Sequence, residues 1–81
     1  MQTPEPPAPR RLNPDKLHLS KWTAAVPRNK EKHFIVTGVI RPADPDQPVE
    51  LVTLEAVLTR RVQTIRWREL TDPGVWLQGW C

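Results

Sequence analysis

Residues 49–67, "VELVTLEAVLTRRVQTIRW", decide between a helical and a β fold for this chain. Their larger apolar side chains recur at the spacing of one helix stripe, at Leu51, Leu54, Leu58, Val62 and Ile65. Parts of the same stretch also alternate between apolar and polar residues, as a strand does. The many β-branched residues favour strands, because Val, Ile and Thr lose rotamer freedom in a helix. We predict two strands, at about residues 49–58 and 62–68, joined by a tight turn at residues 59–61, with a helix as the alternative.

Two further strands are predicted upstream. "KLHLSKWTAAV", residues 16–26, alternates and ends near Pro27. "HFIVTGVIRP", residues 33–42, is the clearest strand, since it is rich in β-branched residues. Its alternation places four residues on one face, namely Phe34, Val36, Gly38 and Ile40. A glycine inside a strand indicates a bulge or a bend.

The closing residues 72–80, "DPGVWLQGW", carry the signals of a short helix. Asp72 and Pro73 suit the N-cap and the first helical position. Gly79 suits the left-handed position that ends a helix, and Trp80 should then fold back toward Val75. These elements together predict a mostly-β fold, a small SH3-like or related open barrel of about four strands with a short C-terminal helical lid.

A chain of 81 residues allows one small domain. Its first fifteen residues, "MQTPEPPAPRRLNPD", contain five of the ten prolines and almost no large apolar side chains. They cannot bury enough surface to offset their ordering entropy. We therefore predict a disordered, proline-rich basic arm at residues 1–15 and a single small tryptophan-rich β domain at residues 16–81.

The core of this domain must come from packing alone. The single cysteine, Cys81, cannot form an internal disulfide, and two histidines with that cysteine are too few for a structural zinc site. We expect no metal and no cofactor. Tryptophans suit such a small core because each can bury about 150–250 Å². The predicted core residues are Phe34, Val36, Ile40, Leu54, Leu58, Ile65, Trp67 and Trp76.

Three stretches carry a resemblance to a known family. "NPDKLHLSKWTAAVPRNKEKHFIVTGVI", "LEAVLTRRVQTIRWREL" and "DPGVWLQGW" resemble a small tryptophan-rich bacterial protein family of unknown function. The resemblance covers about residues 12–80, and its most specific marks are "LSKWTA", "NKEKHF" and the spaced tryptophans after residue 66. It implies a compact cytosolic protein in which the tryptophans and "NKEKHF" matter to function. It brings no catalytic residues.

The basic residues and the tryptophans supply the candidate binding residues. The net charge of +3 is modest, but cations gather in the polar connection after Pro27 and at the turn of residues 59–61. Trp80 is the ring most expected at the surface, whereas Trp22 could be a stacking surface or part of the core. The predicted binding residues are Trp22, Lys30, Lys32, His33, Arg60, Arg61 and Trp80.

Catalysis has little support in the sequence. It contains no recognisable Ser/His/Asp or Cys/His catalytic motif and no glycine-rich phosphate loop. It also contains no apolar run long enough to cross a membrane and no signal peptide. We therefore predict a non-enzymatic, monomeric protein in the cytoplasm, without membrane contact.

Three functional hypotheses follow from these observations. The first is an interaction module that docks to a protein or peptide partner. The alternative is a single-stranded nucleic-acid-binding domain, in which basic loops neutralise phosphates and an exposed tryptophan stacks on bases. The third is a subunit that folds fully only inside a larger assembly.

Overall fold

The computed structural model describes residues 10–81, which form one open antiparallel sheet. Its strands are β1 (Lys21–Arg28), β2 (Glu31–Ile40), β3 (Leu51–Ala56), β4 (Val62–Arg66) and β5 (Trp76–Gln78). Two 3-10 turns accompany them, η1 (Pro14–Lys16) and η2 (Trp67–Thr71). The strand order is β4-β3-β2-β1-β5, so β1 to β4 form a meander and β5 returns to pair with β1. The prediction of a mostly-β fold is confirmed, with five strands in place of about four.

The hairpin of β3 and β4 confirms the β interpretation of residues 49–67. Val52 pairs with Ile65, and Leu54 pairs with Gln63. Backbone hydrogen bonds from Ala56 N to Arg61 O (2.9 Å) and from Arg60 N to Ala56 O (2.8 Å) close the turn between the strands. The helix alternative is wrong, because Leu51 and Leu54 lie in β3 and Val62 and Ile65 lie in β4, with Leu58 in the turn between the strands.

A bulge in β2 changes the face on which its last residues lie. The register with β3 shifts between Val36 and Gly38, as the glycine in the strand predicted. A Cβ on Gly38 would lie only 2.9 Å from Thr53 Oγ1, so this close approach requires glycine. Because the bulge adds one residue, Val39 packs against the core while Ile40 is 42% exposed. Ile40 was predicted in the core and lies on the opposite face.

The core occupies one face of the sheet, here called the inner face. Leu17, just after η1, and Leu70, within η2, lie over this face, so the two 3-10 turns cover it. Trp67 and Ile65 are partly buried and pack at its margin. The buried residues that form the core are Leu17, Trp22, Phe34, Val36, Val52, Leu54, Ala56, Leu70 and Trp76.

Leu58 lies elsewhere than predicted, and Trp22 takes the core position that the sequence left open beside a stacking role. β3 ends at Ala56, so Leu58 falls in the turn after it and is 70% exposed, although it was predicted in the core. Trp22 pairs with Phe34 in the middle of the inner face and is only 1% exposed. A ring buried to this extent cannot stack against a partner, so Trp22 is not available for the binding role proposed for it.

Residues 73–78 form a turn and a strand where a helical lid was expected. Asp72 does cap the turn, since its Oδ1 accepts a hydrogen bond from Gly74 N (2.9 Å). The chain then pairs with β1, placing Trp76 opposite Ala24, and this pairing prevails over helical signals spread across only a turn or two. Gly79 has the expected left-handed backbone (φ 80°), but it follows a strand. Trp80 accordingly packs near His33 and does not fold back toward Val75.

The predicted N-terminal arm lies partly outside the described residues, which begin at Arg10. Arg10 packs against η2: its backbone N donates to Thr71 O (2.9 Å) and its Nη1 donates to Leu70 O (2.6 Å). No helix within residues 10–81 has the length and apolarity needed to cross a membrane. β4 and β5 are the two edges of the sheet and do not pair with each other, so the likeness to an SH3 barrel stays a prediction.

Candidate functional site

The face of the sheet opposite the core, here called the outer face, exposes apolar side chains. Ile40 pairs with Leu51, and Ile35 and Val62 flank Glu55 in a second row, with the row of Thr53 and Thr64 between the two. Ile40, Leu51 and Val62 are 42%, 38% and 52% exposed. A solvated face of an antiparallel sheet is usually polar, so aliphatic residues in these rows are typical of a surface that contacts another molecule.

The turn between β1 and β2 has an unusual residue in a demanding position. Arg28 pairs with Glu31, which leaves Asn29 and Lys30 as a two-residue hairpin loop. Their φ angles are 55° and 62°, the pattern of a type I′ turn. Asparagine is common at the first of these positions, but the second is normally glycine. Lys30 therefore holds a left-handed backbone despite its side chain.

The turn between β3 and β4 repeats this feature. Arg60 lies in this turn, two residues before β4, and has φ 63°. Glycine would adopt this left-handed conformation without strain. A non-glycine residue in this conformation costs about 1–2 kcal/mol. Leu19 also has a left-handed backbone (φ 67°), at the turn before β1, so the conformation alone does not define a site. What distinguishes Lys30 and Arg60 is that both line the same groove.

That groove lies between the two turns and is here called the turn groove. It is open, with a volume of about 500 Å³, and is lined by Lys30, Lys32, His33, Val57, Leu58 and Arg60. Three of these residues are cations and none is a carboxylate. Leu58 and Val57 supply its aliphatic surface, 70% and 36% exposed. Four of the predicted binding residues thus lie together: Lys30, Lys32, His33 and Arg60.

Trp80 lies beside this groove through its contact with His33. The two ring centroids are 5.9 Å apart, and Lys21 Nζ lies 4.7 Å from the indole centroid. The indole Nε1 donates to Phe34 O (2.9 Å), which anchors the ring while it remains 45% exposed. Trp80 is therefore partly structural, and a ligand that stacked on the side occupied by Lys21 would have to displace that lysine.

Arg61, also predicted to bind, is engaged elsewhere. Its Nη2 lies 2.6 Å from Glu31 Oε1, and its Nε donates to both carboxylate oxygens. Glu31 is only 3% exposed, and Thr59 Oγ1 donates a further hydrogen bond to it. The hydrogen bonds from Arg61 and Thr59 lower the pKa of Glu31, and the carboxylate in turn raises the pKa of Arg61. The charge of Arg61 is thus compensated, and the pair fastens the β3–β4 turn to the start of β2.

Arg60 has a much weaker partner. Its Nη1 lies 3.4 Å from Glu55 Oε2, and its side chain is 80% exposed. Ion pairs at such exposed positions contribute about 0–1 kcal/mol. Arg60 can therefore exchange Glu55 for a ligand anion at little cost, whereas Arg61 cannot leave a buried carboxylate unpaired.

A second depression lies at the other end of the outer face. It has a volume of about 320 Å³ and is formed by Ile40 and Leu51 with residues of the β2–β3 loop. Its lining contains Glu50 and no cation. The predicted binding residues do not contribute to it, and nothing in its chemistry selects one class of ligand.

Sequence reasoning missed two contributions to the turn groove. Leu58 was assigned to the core, and Val57 was not considered. The signal that could have identified them is their position just before Arg60 and Arg61: once the turn is placed at residues 57–60, aliphatic residues at its tip must be exposed. The role of Glu31 could not be read locally, since its partner is thirty residues away.

Among the residues that the structure describes, no three His, Cys, Asp or Glu side chains lie close enough to hold a metal ion. No curated protein and no solved structure matches the chain. A family model described as Tryptophan-rich protein (DUF2389) matches residues 20–81, which include all four tryptophans and both turns of the groove. The resemblance seen in the spacing of the tryptophans is confirmed: the chain belongs to this tryptophan-rich family.

Proposed function

We propose that this protein is a non-enzymatic interaction module that docks a protein or peptide partner in the turn groove. One observation carries the proposal: exposed aliphatic side chains, Val57 and Leu58, lie in a groove with three cations, two of which have left-handed backbones. The cytoplasmic location, the monomeric state and the SH3-like architecture predicted from the sequence belong to this proposal.

Leu58 contributes little to the stability of the free protein, because it is 70% exposed. Burying such a side chain against a partner would contribute roughly 1.5–3 kcal/mol to binding. Protein interfaces commonly combine an apolar centre with a polar rim, and a few residues near the centre carry most of the binding energy, with arginine among the enriched types. Leu58 and Val57 with Lys30, Lys32 and Arg60 have this composition.

The backbone strain at Lys30 and Arg60 supports the same conclusion. Glycine at either position would relieve the conformational cost without loss of a buried contact, since both residues are exposed. Strained residues cluster at ligand sites, where the side chain is retained for a purpose other than stability. A cation on each side of the groove is the feature that these residues add.

Single-stranded nucleic acid remains the second candidate, favoured by the half-exposed ring of Trp80 beside Lys21 and His33. Two features favour a protein partner instead. Val57 and Leu58 offer no π-face to a base, and Trp80 is contacted by both Lys21 and His33. The third hypothesis, a subunit completed by an assembly, would place the exposed apolar residues of the outer face against that assembly.

A random peptide library displayed on phage, selected on the immobilised full chain, tests the proposal. Selected peptides are expected to lose about tenfold or more in affinity on Leu58→Ser, which is the loss of about 1.4 kcal/mol or more. Val26→Ser is the matched control, because Val26 and Leu58 are both 70% exposed and Val26 lies outside the turn groove. Peptides that bind wild type and Leu58→Ser equally, or the absence of any enriched peptide, would contradict the proposal.

An oligothymidylate titration at low and high salt tests the second candidate. Phosphate-driven binding falls steeply with salt and should weaken when Lys30 and Arg60 are replaced by glutamine. Tight, salt-sensitive binding that depends on these cations, together with quenching of Trp80 fluorescence, would favour nucleic acid over a peptide.

A further inference from the structure

We infer that the segment that occupies the turn groove is acidic, with aspartate or glutamate residues on either side of a large apolar side chain. This inference rests on the proposed function, since it names the chemistry of the partner for the same groove. It is carried by the charges that line the groove and by the turns that supply them.

The charges in the groove are all of one sign. Within residues 10–81, Lys30, Lys32 and Arg60 line it, without a carboxylate among the lining residues. The two carboxylates nearest in sequence do not offset them: Glu31 is compensated by Arg61, and Glu55 makes only the exposed contact of 3.4 Å with Arg60. A neutral or basic segment would desolvate these cations without compensation, which disfavours binding.

The cations come from both sides of the groove. Lys30 and Lys32 belong to the β1–β2 turn and the start of β2, whereas Arg60 belongs to the β3–β4 turn together with Val57 and Leu58. A segment that crosses from one turn to the other therefore meets a cation on each side. The aliphatic surface adjoins β2, because Val57 N donates to His33 O (2.9 Å). This arrangement fits carboxylates that flank an apolar side chain.

A peptide matches this arrangement better than a single anion does. In an extended segment, side chains on the same side recur at about 6.4–6.8 Å, so carboxylates two residues before and two residues after an apolar side chain face the groove with it and can reach different cations. Arg60 can engage a carboxylate through two parallel hydrogen bonds, a geometry that its contact with Glu55 does not use. The apolar side chain supplies the part of the affinity that salt does not screen.

The test is fluorescence anisotropy with a short fluorescein-labelled peptide in which a Leu-Phe pair is flanked by aspartates. One control peptide has asparagine in place of each aspartate, and another has Ser-Ser in place of Leu-Phe. An oligothymidylate of the same net charge is the nucleic-acid probe. Each probe is titrated with the full chain at low and high salt.

Two triple variants distinguish the effect of the groove cations on peptide binding from the effect of the protein's net charge. The groove variant carries Lys30→Gln, Lys32→Gln and Arg60→Gln. The control variant carries Arg11→Gln, Lys16→Gln and Arg68→Gln, all at exposed positions outside the groove, with the same change in net charge. The acidic peptide should bind the groove variant about tenfold more weakly or worse, and the control variant within about twofold of wild type. Thermal unfolding verifies that both variants remain folded.

Three results would overturn the inference: equal binding of the asparagine peptide, an equal loss on both triple variants, or tighter binding of the oligothymidylate than of the acidic peptide at both salts. The phage selection separates this failure from failure of the docking proposal. If selected peptides depend on Leu58 but are neutral or basic, the docking module stands and the acidic partner does not. If no peptide depends on Leu58, both fail.

Discussion

Lys30 occupies the second position of a two-residue hairpin loop with φ 62°, where its Cβ crowds the following carbonyl oxygen. The side chain is exposed and lines the turn groove, so neither core packing nor the ladder of hydrogen bonds explains its presence. Arg60 has the same left-handed backbone in the β3–β4 turn (φ 63°). At both positions the backbone conformation favours glycine, whereas the side chain supplies a cation to the groove. Substitutions can distinguish the effect on stability from the effect on binding.

Replacing Lys30 with glycine should raise the free energy of unfolding. The left-handed conformation costs a non-glycine residue about 1–2 kcal/mol, and glycine loses about 0.5–1 kcal/mol through its greater freedom in the unfolded chain. A net gain of about 0.5–1 kcal/mol is expected in urea unfolding followed by tryptophan fluorescence. Lys32→Gly, in β2 where the backbone is not left-handed, should instead lower stability. A Lys30→Gly variant no more stable than wild type would contradict the strain argument.

Glu31 should make stability depend on pH. Hydrogen bonds from Arg61 and Thr59 lower the pKa of this carboxyl below its ordinary value of 4.5. A folded-state pKa below the unfolded one stabilises the protein above pH 4.5, and the stabilisation is lost as the pH falls through the folded pKa. The free energy of unfolding is therefore expected to fall in this acidic range. Glu31→Gln should be less stable at neutral pH and should show a flatter decline.

The matched control for this measurement is Glu50→Gln, at an exposed carboxylate outside the pair. The free energy of unfolding of Glu50→Gln, measured in urea at a series of acidic pH values, should depend on pH as it does in wild type. If Glu31→Gln declines with pH as steeply as wild type, the pair with Arg61 is not the origin of the effect.

At the scale of elements, β5 is a short strand that, within residues 10–81, pairs only with β1. Its attachment is reinforced by Thr23 in β1, which is 1% exposed. Thr23 Oγ1 donates to Gly79 O (2.7 Å) and accepts from Cys81 N (3.1 Å). The same side chain thus holds the residues on either side of Trp80, and the position of Trp80 beside the turn groove depends on it.

Thr23→Val should loosen this attachment while preserving side-chain shape. The loss of two hydrogen bonds at a buried position is expected to lower the free energy of unfolding by about 1–2 kcal/mol. Tryptophan emission should shift to the red, because Trp80 gains exposure. Thr64→Val, at an exposed position of β4, serves as the control and should change stability by less than about 0.5 kcal/mol. Equal stability and unchanged emission for Thr23→Val would show that the closing residues do not rely on Thr23.

At the scale of the whole molecule, the fold separates leucines that look equivalent in the sequence. Leu54 and Leu58 share both the helical and the alternating pattern, yet Leu54 is fully buried and Leu58 is 70% exposed. Leu54→Ala should lower the free energy of unfolding by about 2–5 kcal/mol, as large-to-small core substitutions do. Leu58→Ala should change it by less than about 0.5 kcal/mol. Comparable destabilisation by the two substitutions in urea unfolding would contradict this division between core and groove.

Local patterns in the sequence predicted four of the five strands and the bulge in β2, but not β5. The β-branched residues of the stretch 49–67 select a hairpin over a helix, and Gly38 marks a bulge, because both effects act between near neighbours in the chain. The cations of the turn groove were also predicted as binding residues from the sequence, since residues in a turn are exposed wherever the turn lies. The family could likewise be recognised from the spacing of the tryptophans.

Which of these residues share a site depends on contacts between distant parts of the chain. Arg60 and Arg61 are adjacent in sequence, but a buried carboxylate engages Arg61 while Arg60 lines the groove. Trp22 is buried and Trp80 is half exposed because Trp22 lies in the core on the inner face and Trp80 lies beside His33 and Lys21. The single extra residue at Gly38 moved Ile40 from the core to the surface. Burial and ion pairing depend on contacts between residues far apart in the chain, and local patterns do not carry that information.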